Sequence, residues 1–320
     1  MLKLLLTFTI LATSLAVAGS PTGLDIDQDK VTVSGVSAGG QMAHQLHIAY
    51  SDLFSGAAII AGGPFGCADG SLATAMARCM GVTDDSYSII EKENEINGAA
   101  AEGKLAATDA LADDPVWIFH GTLDTTVAAG LSEKLVALYS EFLPAEQIIY
   151  VDDIEAIHNF PAQGMGSECA EMVPPFVGNC NYDTAGELLQ HLYPGLEAPV
   201  AGVETGLTEV ALEGAADAGL SETAYLFIPP ACADGNKACA LHLVLHGCAQ
   251  SAVQVGTGFM EQSGYLRWAE ANDIVLAFPQ VVPGAANPYA CWDWWGYTGA
   301  NYLYRDGAQM SVLTNWINHL

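Results

Sequence analysis

The sequence predicts an α/β fold: one mostly parallel, doubly wound sheet with helices on both faces. Three observations carry this. Short apolar, β-branched runs alternate with stretches of helical periodicity, the pattern of strands joined by crossover helices. A Gly-x-Ser-x-Gly pentapeptide sits where the first such run turns into the first helical stretch. The chain has 320 residues, 51% of them hydrophobic, which suffices for a sizeable core and excludes a disordered polypeptide.

Met1–Ala18 opens with one cation, Lys3, continues as an apolar run to Val17, and ends in Ala16-Val17-Ala18. This is the pattern of a secretory signal peptide, and the apolar run is too short to span a bilayer. It places the mature protein, residues 19–320, outside the cytoplasm as one catalytic domain, extracellular or periplasmic. Lys30–Ser34 (KVTVS) reads as the first strand. Gly35, Gly39 and Gly40 then make a turn, and Gln41–Tyr50 follows as a helix with Met42, Leu46 and Ala49 on one face. Ser55–Ala61 is a second strand, closed by Gly62-Gly63-Pro64. Pro115–Phe119 is a third, closed by His120-Gly121. Leu131–Leu143 has helical periodicity and Gln147–Val151 returns as a strand. The Gly- and Pro-rich stretch Pro161–Gly219 resists assignment, and its acidic, Ala-rich end, Glu204–Gly219, reads as surface. Ala224–Ile228, Leu241–His246 and Ile274–Phe278 are strands. A helix over Phe259–Asn272 separates the last two, and Met310–Leu320 is a terminal helix.

Nine Lys and Arg stand against 37 Asp and Glu, a formal net charge of −28. Such a surface repels phosphate backbones and anionic membranes, so neither is expected as a partner. It reads as a solubility device suited to salty surroundings, where counterions screen self-repulsion. The eight cysteines, even in number in an exported chain, point to four disulfides. Eight cysteines allow 105 pairings. Proximity favours Cys67–Cys79, Cys169–Cys180 and Cys232–Cys239, which leaves Cys248 with Cys291. No C-x-x-C pair occurs, so a metal is not expected.

Gly35-Val36-Ser37-Ala38-Gly39 carries the chemistry. Between a strand and a helix, this motif places a serine on a strained turn, with glycines that let the helix pack closely, as in α/β hydrolases. Ser37 is the candidate nucleophile, and the Ala38 N–H is a candidate oxyanion donor. A serine hydroxyl needs a base, and the base an orienting acid. Asp124 follows a buried strand in His120-Gly121-Thr122-Leu123-Asp124, with Asp152 and Asp153 as competitors. His158, in a loop after the next strand, is the candidate base, and Ser37, Asp124, His158 is the chain order of that fold. His44 and His47 read as surface residues of the elbow helix, His120 as support for the acid loop, and His246 as support behind a later loop.

The motif lies unusually early. Only about a dozen residues of the mature chain precede KVTVS, so no upstream loop can supply a second oxyanion donor. A strand ending in His246-Gly247-Cys248 appears long after His158 instead. The economical reading is a circular permutation, with the Cys248 N–H as second donor and the terminal helix leading back to the elbow strand.

With these residues in view, the chain resembles the secreted poly(3-hydroxybutyrate) depolymerases with a circularly permuted catalytic domain, the fungal-type enzymes of that group. The matching segments are GVSAGGQMAHQLHIAYS (Gly35–Ser51), AAIIAGGPFGCA (Ala57–Ala68), HGTLDTTV (His120–Val127), IHNFP (Ile157–Pro161), CNYDTAGELLQHLYPGL (Cys180–Leu196), LHLVLHGCAQS (Leu241–Ser251) and CWDWWGY (Cys291–Tyr297). The resemblance implies a triad of Ser37, Asp124 and His158, an oxyanion hole of Ala38 and Cys248 N–H, and no cofactor. It also implies a shallow, lidless crevice for one polyester chain. No appended binding domain or Ser/Thr-rich linker is seen. The protein is expected to be a monomer acting on polyester polymer or oligomer. The alternative is a feruloyl or acetyl esterase acting on plant polysaccharide. The aromatic cluster after Cys291 suggests flat apolar surface for an uncharged ester, with Trp292 and Trp295 as the residues expected to bind it.

Overall fold

The computed structural model describes residues 23–80, 86–203 and 205–320. The leader Met1–Ala18 lies outside them. The first described strand lies in the middle of the main sheet. Strand β1 (Ile26–Val36) runs into the elbow at Ser37 and helix α1 (Ala38–Ala49). β2 (Ala57–Ile60) follows, then helices α2 (Leu72–Arg78) and α3 (Ile89–Ala101). Next come β3 (Val116–Phe119), α4 (Ala129–Tyr139) and β4 (Ile148–Val151). A small sheet of β5 (Phe160–Ala162), β6 (Ser167–Glu168) and β7 (Val177–Asn179) precedes α5 (Thr184–Leu192). The remaining elements are β8 (Leu207–Ala211), β9 (Thr223–Phe227) and β10 (Cys239–Leu245), helices α6 (Ala252–Val255), α7 (Gly258–Gln262) and α8 (Tyr265–Asn272), strand β11 (Ile274–Phe278) and helix α9 (Ala308–Ile317).

The main sheet runs β4-β3-β2-β1-β10-β11-β9-β8. The pairs from β4 to β11 are parallel, and β11–β9 and β9–β8 are antiparallel. Strands from the end of the sequence thus complete the sheet on the far side of β1. This is the order a permuted chain requires.

The face of β1 is split by its period of two. Val31 and Val33 join the core under α1, α3, α4 and α9. On the other face Thr32 and Ser34 bracket the buried His242 of β10, at 2.6 Å from Nδ1 and 2.7 Å from Nε2. Tyr193 and Tyr265 close this hydrogen-bonded chain at either end. Polar side chains are tolerated inside the sheet because each finds a partner.

Disulfides join Cys67–Cys79, Cys169–Cys180, Cys232–Cys239 and Cys248–Cys291. Three sequence expectations need correction. The stretch Phe259–Asn272 is two helices, because Gly264 at φ 91° ends one and caps the next. Part of Glu204–Gly219 is not mere surface: Leu207–Ala211 is the edge strand, with Val210 fully buried against the sheet. His44 and His47 are not on a surface, since every residue of α1 is buried. His47 is bonded to Tyr139 Oη at 2.9 Å and Asp114 Oδ2 at 3.1 Å, whereas neither ring nitrogen of His44 has a partner. Among the described residues, no helix is long and apolar enough to cross a membrane.

Candidate active site

Ser37 stands at φ 57° and ψ −119°, a backbone state that L-residues rarely occupy. Its neighbours make that state possible. A Cβ on Gly35 would lie 2.1 Å from the Gly39 carbonyl oxygen, and one on Gly39 2.3 Å from that of Leu245. Without side chains at both positions, the start of α1 can seat between β1 and β10. The Ser37 N–H is held by Ile60 O at 2.8 Å. The Ala38 N–H, at the first turn of α1, has no carbonyl inside the helix to bond.

Two loops bring the other groups to Ser37. The loop after β3 carries Asp124, and the loop after β4 carries His158. Backbone bonds from Thr122 N to Ile154 O and from Leu123 N to Ala156 O stitch them together. Gly121 lets them approach, since a Cβ there would lie 2.2 Å from Ala156 O. His158 Nε2 is 2.9 Å from Ser37 Oγ, and His158 Nδ1 is 2.7 Å from Asp124 Oδ2. Asp124 Oδ1 accepts the N–H groups of Thr126 at 2.8 Å and Val127 at 3.0 Å. Burial pushes the Asp124 carboxyl up, but the His158 bond and charge and these N–H groups outweigh it and hold the carboxyl below its ordinary value. Asp152 and Asp153 are exposed and do not meet His158. His120, at the end of β3, is buried with Nδ1 on Ser132 Oγ at 3.0 Å, and burial lowers its pKa.

The loop after β10 lies against the serine: a Cβ on Gly247 would be 3.4 Å from Ser37 Cβ. The Gly247 carbonyl oxygen lies 2.7 Å from His246 Nδ1 and 3.3 Å from Gln250 N. His246 Nε2 accepts the Val281 N–H at 3.2 Å, so Nδ1 carries the proton and donates to that carbonyl. The peptide is trans, so the Cys248 N–H points opposite to this anchored carbonyl.

The open space beside Ser37 and His158 is a crevice of about 270 Å³. Val36, Met80, Met172 and Phe176 supply its apolar wall, with Thr126, Asn159 and Gln250 between them. Trp292 and Trp295 are not on that wall. Trp292 is 0% exposed and lies beneath the loop after β10, donating its indole N–H to His246 O at 2.9 Å and packing on the His246 ring. Trp295 is 8% exposed, packed on Trp294 and Tyr297. Trp292 supports the loop from below and Trp295 fills the core beside it, since large flat rings fill a core as readily as they line a site. Sequence reasoning missed Met172 and Phe176. Their signal was the apolar run Met172-Val173-Pro174-Pro175-Phe176 inside an otherwise polar loop.

No family model matches the chain. It is 39% identical to a poly(3-hydroxybutyrate) depolymerase of Delftia acidovorans over 93% of this chain, although it spans only 60% of that protein's length. It is 33% identical to a polyhydroxybutyrate depolymerase of Talaromyces funiculosus, covering 92% of this chain and 91% of that one. The crystal structure of a PHB depolymerase from Penicillium funiculosum superposes with a TM-score of 0.86 at 31% identity, over 93% of this chain and 98% of that one. A serine-to-alanine PHB depolymerase complexed with an R3HB trimer gives the same TM-score at 30% identity, with the same coverage.

Proposed function

The chain belongs to the poly(3-hydroxybutyrate) depolymerases, and from that membership we propose that it is a secreted serine esterase cleaving 3-hydroxybutyrate polyester. The leader Met1–Ala18 is removed on export, and residues 19–320 form the catalytic unit. The observation that carries the reading is the unbroken Ser37–His158–Asp124 hydrogen-bond chain on a strained strand–helix turn.

His158 Nε2 takes the Ser37 proton as Oγ attacks the ester carbonyl. Asp124 fixes the tautomer that leaves Nε2 free to accept, and balances the imidazolium that forms. The N–H groups of Ala38 and Cys248 receive the oxyanion, each worth about 3 kcal/mol in the transition state. The imidazolium then protonates the departing alkoxide, leaving an acyl-serine. Water, deprotonated by His158, attacks that ester and releases the acid and Ser37.

The substrate assignment draws on the crevice. Its lining is largely apolar and, apart from His158, has no ionisable side chain, which suits a chain of methyl groups and ester planes. Exposed apolar residues lie close to it in sequence: Leu123 beside Asp124, and Val173 beside Met172. Four disulfides accord with an oxidising compartment.

Turbidity of a denatured poly(3-hydroxybutyrate) suspension, with wild type and Ser37→Ala side by side, tests the reading. Wild type is expected to clear it and the variant to leave it turbid. Clearing by Ser37→Ala overturns the mechanism. If neither clears it while wild type alone cleaves a p-nitrophenyl ester, the triad stands and the polyester assignment falls.

A further inference from the structure

Gln250 is only 4% exposed, lies on the crevice wall, and takes no part in the mechanism above. Its amide joins two segments far apart in sequence. The oxygen accepts the Gly247 N–H at 2.6 Å, and the nitrogen donates to Pro175 O at 2.8 Å and reaches Phe176 O at 3.3 Å. The orientation of the amide is fixed by its surroundings: one end faces an N–H and the other faces two carbonyls. Gly247 is part of the fit, because a Cβ there would lie 2.6 Å from the amide oxygen. One side of the bridge precedes Cys248, and the other carries Phe176 of the apolar wall.

We propose that Gln250 is a positioning residue that couples the Cys248 oxyanion donor to the substrate wall at Pro175–Phe176. This rests on the esterase reading and deepens it. By taking up the Gly247 N–H, Gln250 leaves the next N–H, that of Cys248, as the donor the loop offers to substrate. By holding Pro175 and Phe176, it sets the width of the crevice at the same point. An ester that fits the wall therefore meets the oxyanion donor in register. Only the full amide can serve both sides at neutral pH: an acceptor alone holds the loop and frees the wall.

The test compares Gln250→Met and Gln250→Glu with wild type on p-nitrophenyl butyrate. Gln250→Met keeps the length and loses both bonds, and should lower kcat at least tenfold with KM changed less than about threefold. It should also weaken a boronic acid, which mimics the tetrahedral oxyanion, by the same factor as kcat. Gln250→Glu can restore the bridge only when protonated, since the neutral acid both accepts and donates. Its activity relative to wild type should therefore rise as pH falls from 8 to 5. A Met variant with kcat within twofold of wild type overturns the proposal. So does a Glu-to-wild-type ratio that is flat with pH. If Gln250→Met does not fold, the pH ratio of Gln250→Glu decides. The outcome is independent of the Ser37→Ala control: a Ser37→Ala protein that still hydrolyses the ester removes the esterase reading, whereas inert Gln250 variants beside a dead Ser37→Ala remove only the coupling.

Discussion

Asp124 shows how much of the proposed chemistry rests on one side chain. Its carboxylate is 1% exposed, and its bond to His158 Nδ1 decides which ring nitrogen faces Ser37. Asp124→Asn keeps the shape but offers an N–H where the imidazole needs an acceptor. The ring is then driven to the tautomer whose Nε2 carries a proton and cannot serve as base. In serine proteases that change costs about 10⁴ in kcat, and a loss of at least 10³ on p-nitrophenyl butyrate is expected here. A loss under tenfold would show that Asp124 does not set the tautomer. The substitution also has a signed effect on stability. The folded carboxyl lies below its unfolded value, so the stability it adds is fully present above about pH 4 and fades as pH falls through the folded pKa. Urea melts should therefore separate variant from wild type at pH 7 and draw together as pH falls below the unfolded carboxyl's range, about 4. The three residues of the proposed triad were legible because each sits in a short local pattern at a strand end. Trp292 and Trp295 misled because aromatic residues carry the same signature in a core as in a site. Gln250 was invisible because its role needs residues 175, 176 and 247 together, and nothing in the sequence announces that meeting.

Helix α1 was legible as an element and misread in its environment. Gln41, His44, Gln45 and His47 look like the polar face of a surface helix, yet α1 is enclosed on all sides. Gln45 Nε2 reaches Asp293 O at 3.0 Å, and His47 is satisfied by Tyr139 and Asp114. His44 instead packs edge-on against Tyr139, ring centroids 4.7 Å apart, with both nitrogens unpartnered. Burial pushes its pKa down to about 3, with a smaller contribution from His47. The folded protein therefore refuses a proton that the unfolded chain binds below about pH 6.5. His44→Leu should remove both the unmet hydrogen bonds, worth about 1–3 kcal/mol, and this acid penalty. The variant should melt above wild type at pH 7.5, and the gap should widen as pH falls from 6.5 towards 4. The widening is at most about 1.4 kcal/mol per pH unit. A gap that stays constant over that range would exclude His44 as a source of acid sensitivity. Other elements were hidden for similar reasons of context. β8 is an edge strand whose one fully buried side chain, Val210, gives too little alternation to be read. The break at Gly264 interrupts a helical periodicity that continues on both sides of it.

At the scale of the whole molecule, the permuted order was readable because a strand ending in His246-Gly247-Cys248, the element that should supply the second donor, appears long after His158 in the sequence. The observed order β4-β3-β2-β1-β10-β11-β9-β8 places the late strands where that reasoning required them. Charge is the other global property, and it opposes compactness. Even if each of the nine cations neutralised one carboxylate, 28 negative charges would remain uncompensated. Several cations are already committed: Arg78 and Lys92 to Asp69, Arg305 to Asp52, and Lys237 to Asp273. Salt weakens these pairs and also weakens the repulsion among the surplus carboxylates, so the sign of its effect reveals which is larger. Exposed pairs contribute little, about 0–1 kcal/mol each, whereas repulsion acts over the entire surface. The melting temperature should therefore rise with NaCl. The shape of the rise identifies its cause. The Debye length falls from about 30 Å at 0.01 M to about 8 Å at 0.15 M and only to about 3 Å at 1 M. Screening should deliver most of the stabilisation by about 0.15 M and then level off, while hydrolysis of an uncharged soluble ester persists to 1 M. A melting temperature that falls on the first additions of salt would show that the ion pairs outweigh the surplus charge. A rise that is linear to 1 M would assign the effect to exclusion of salt from the surface.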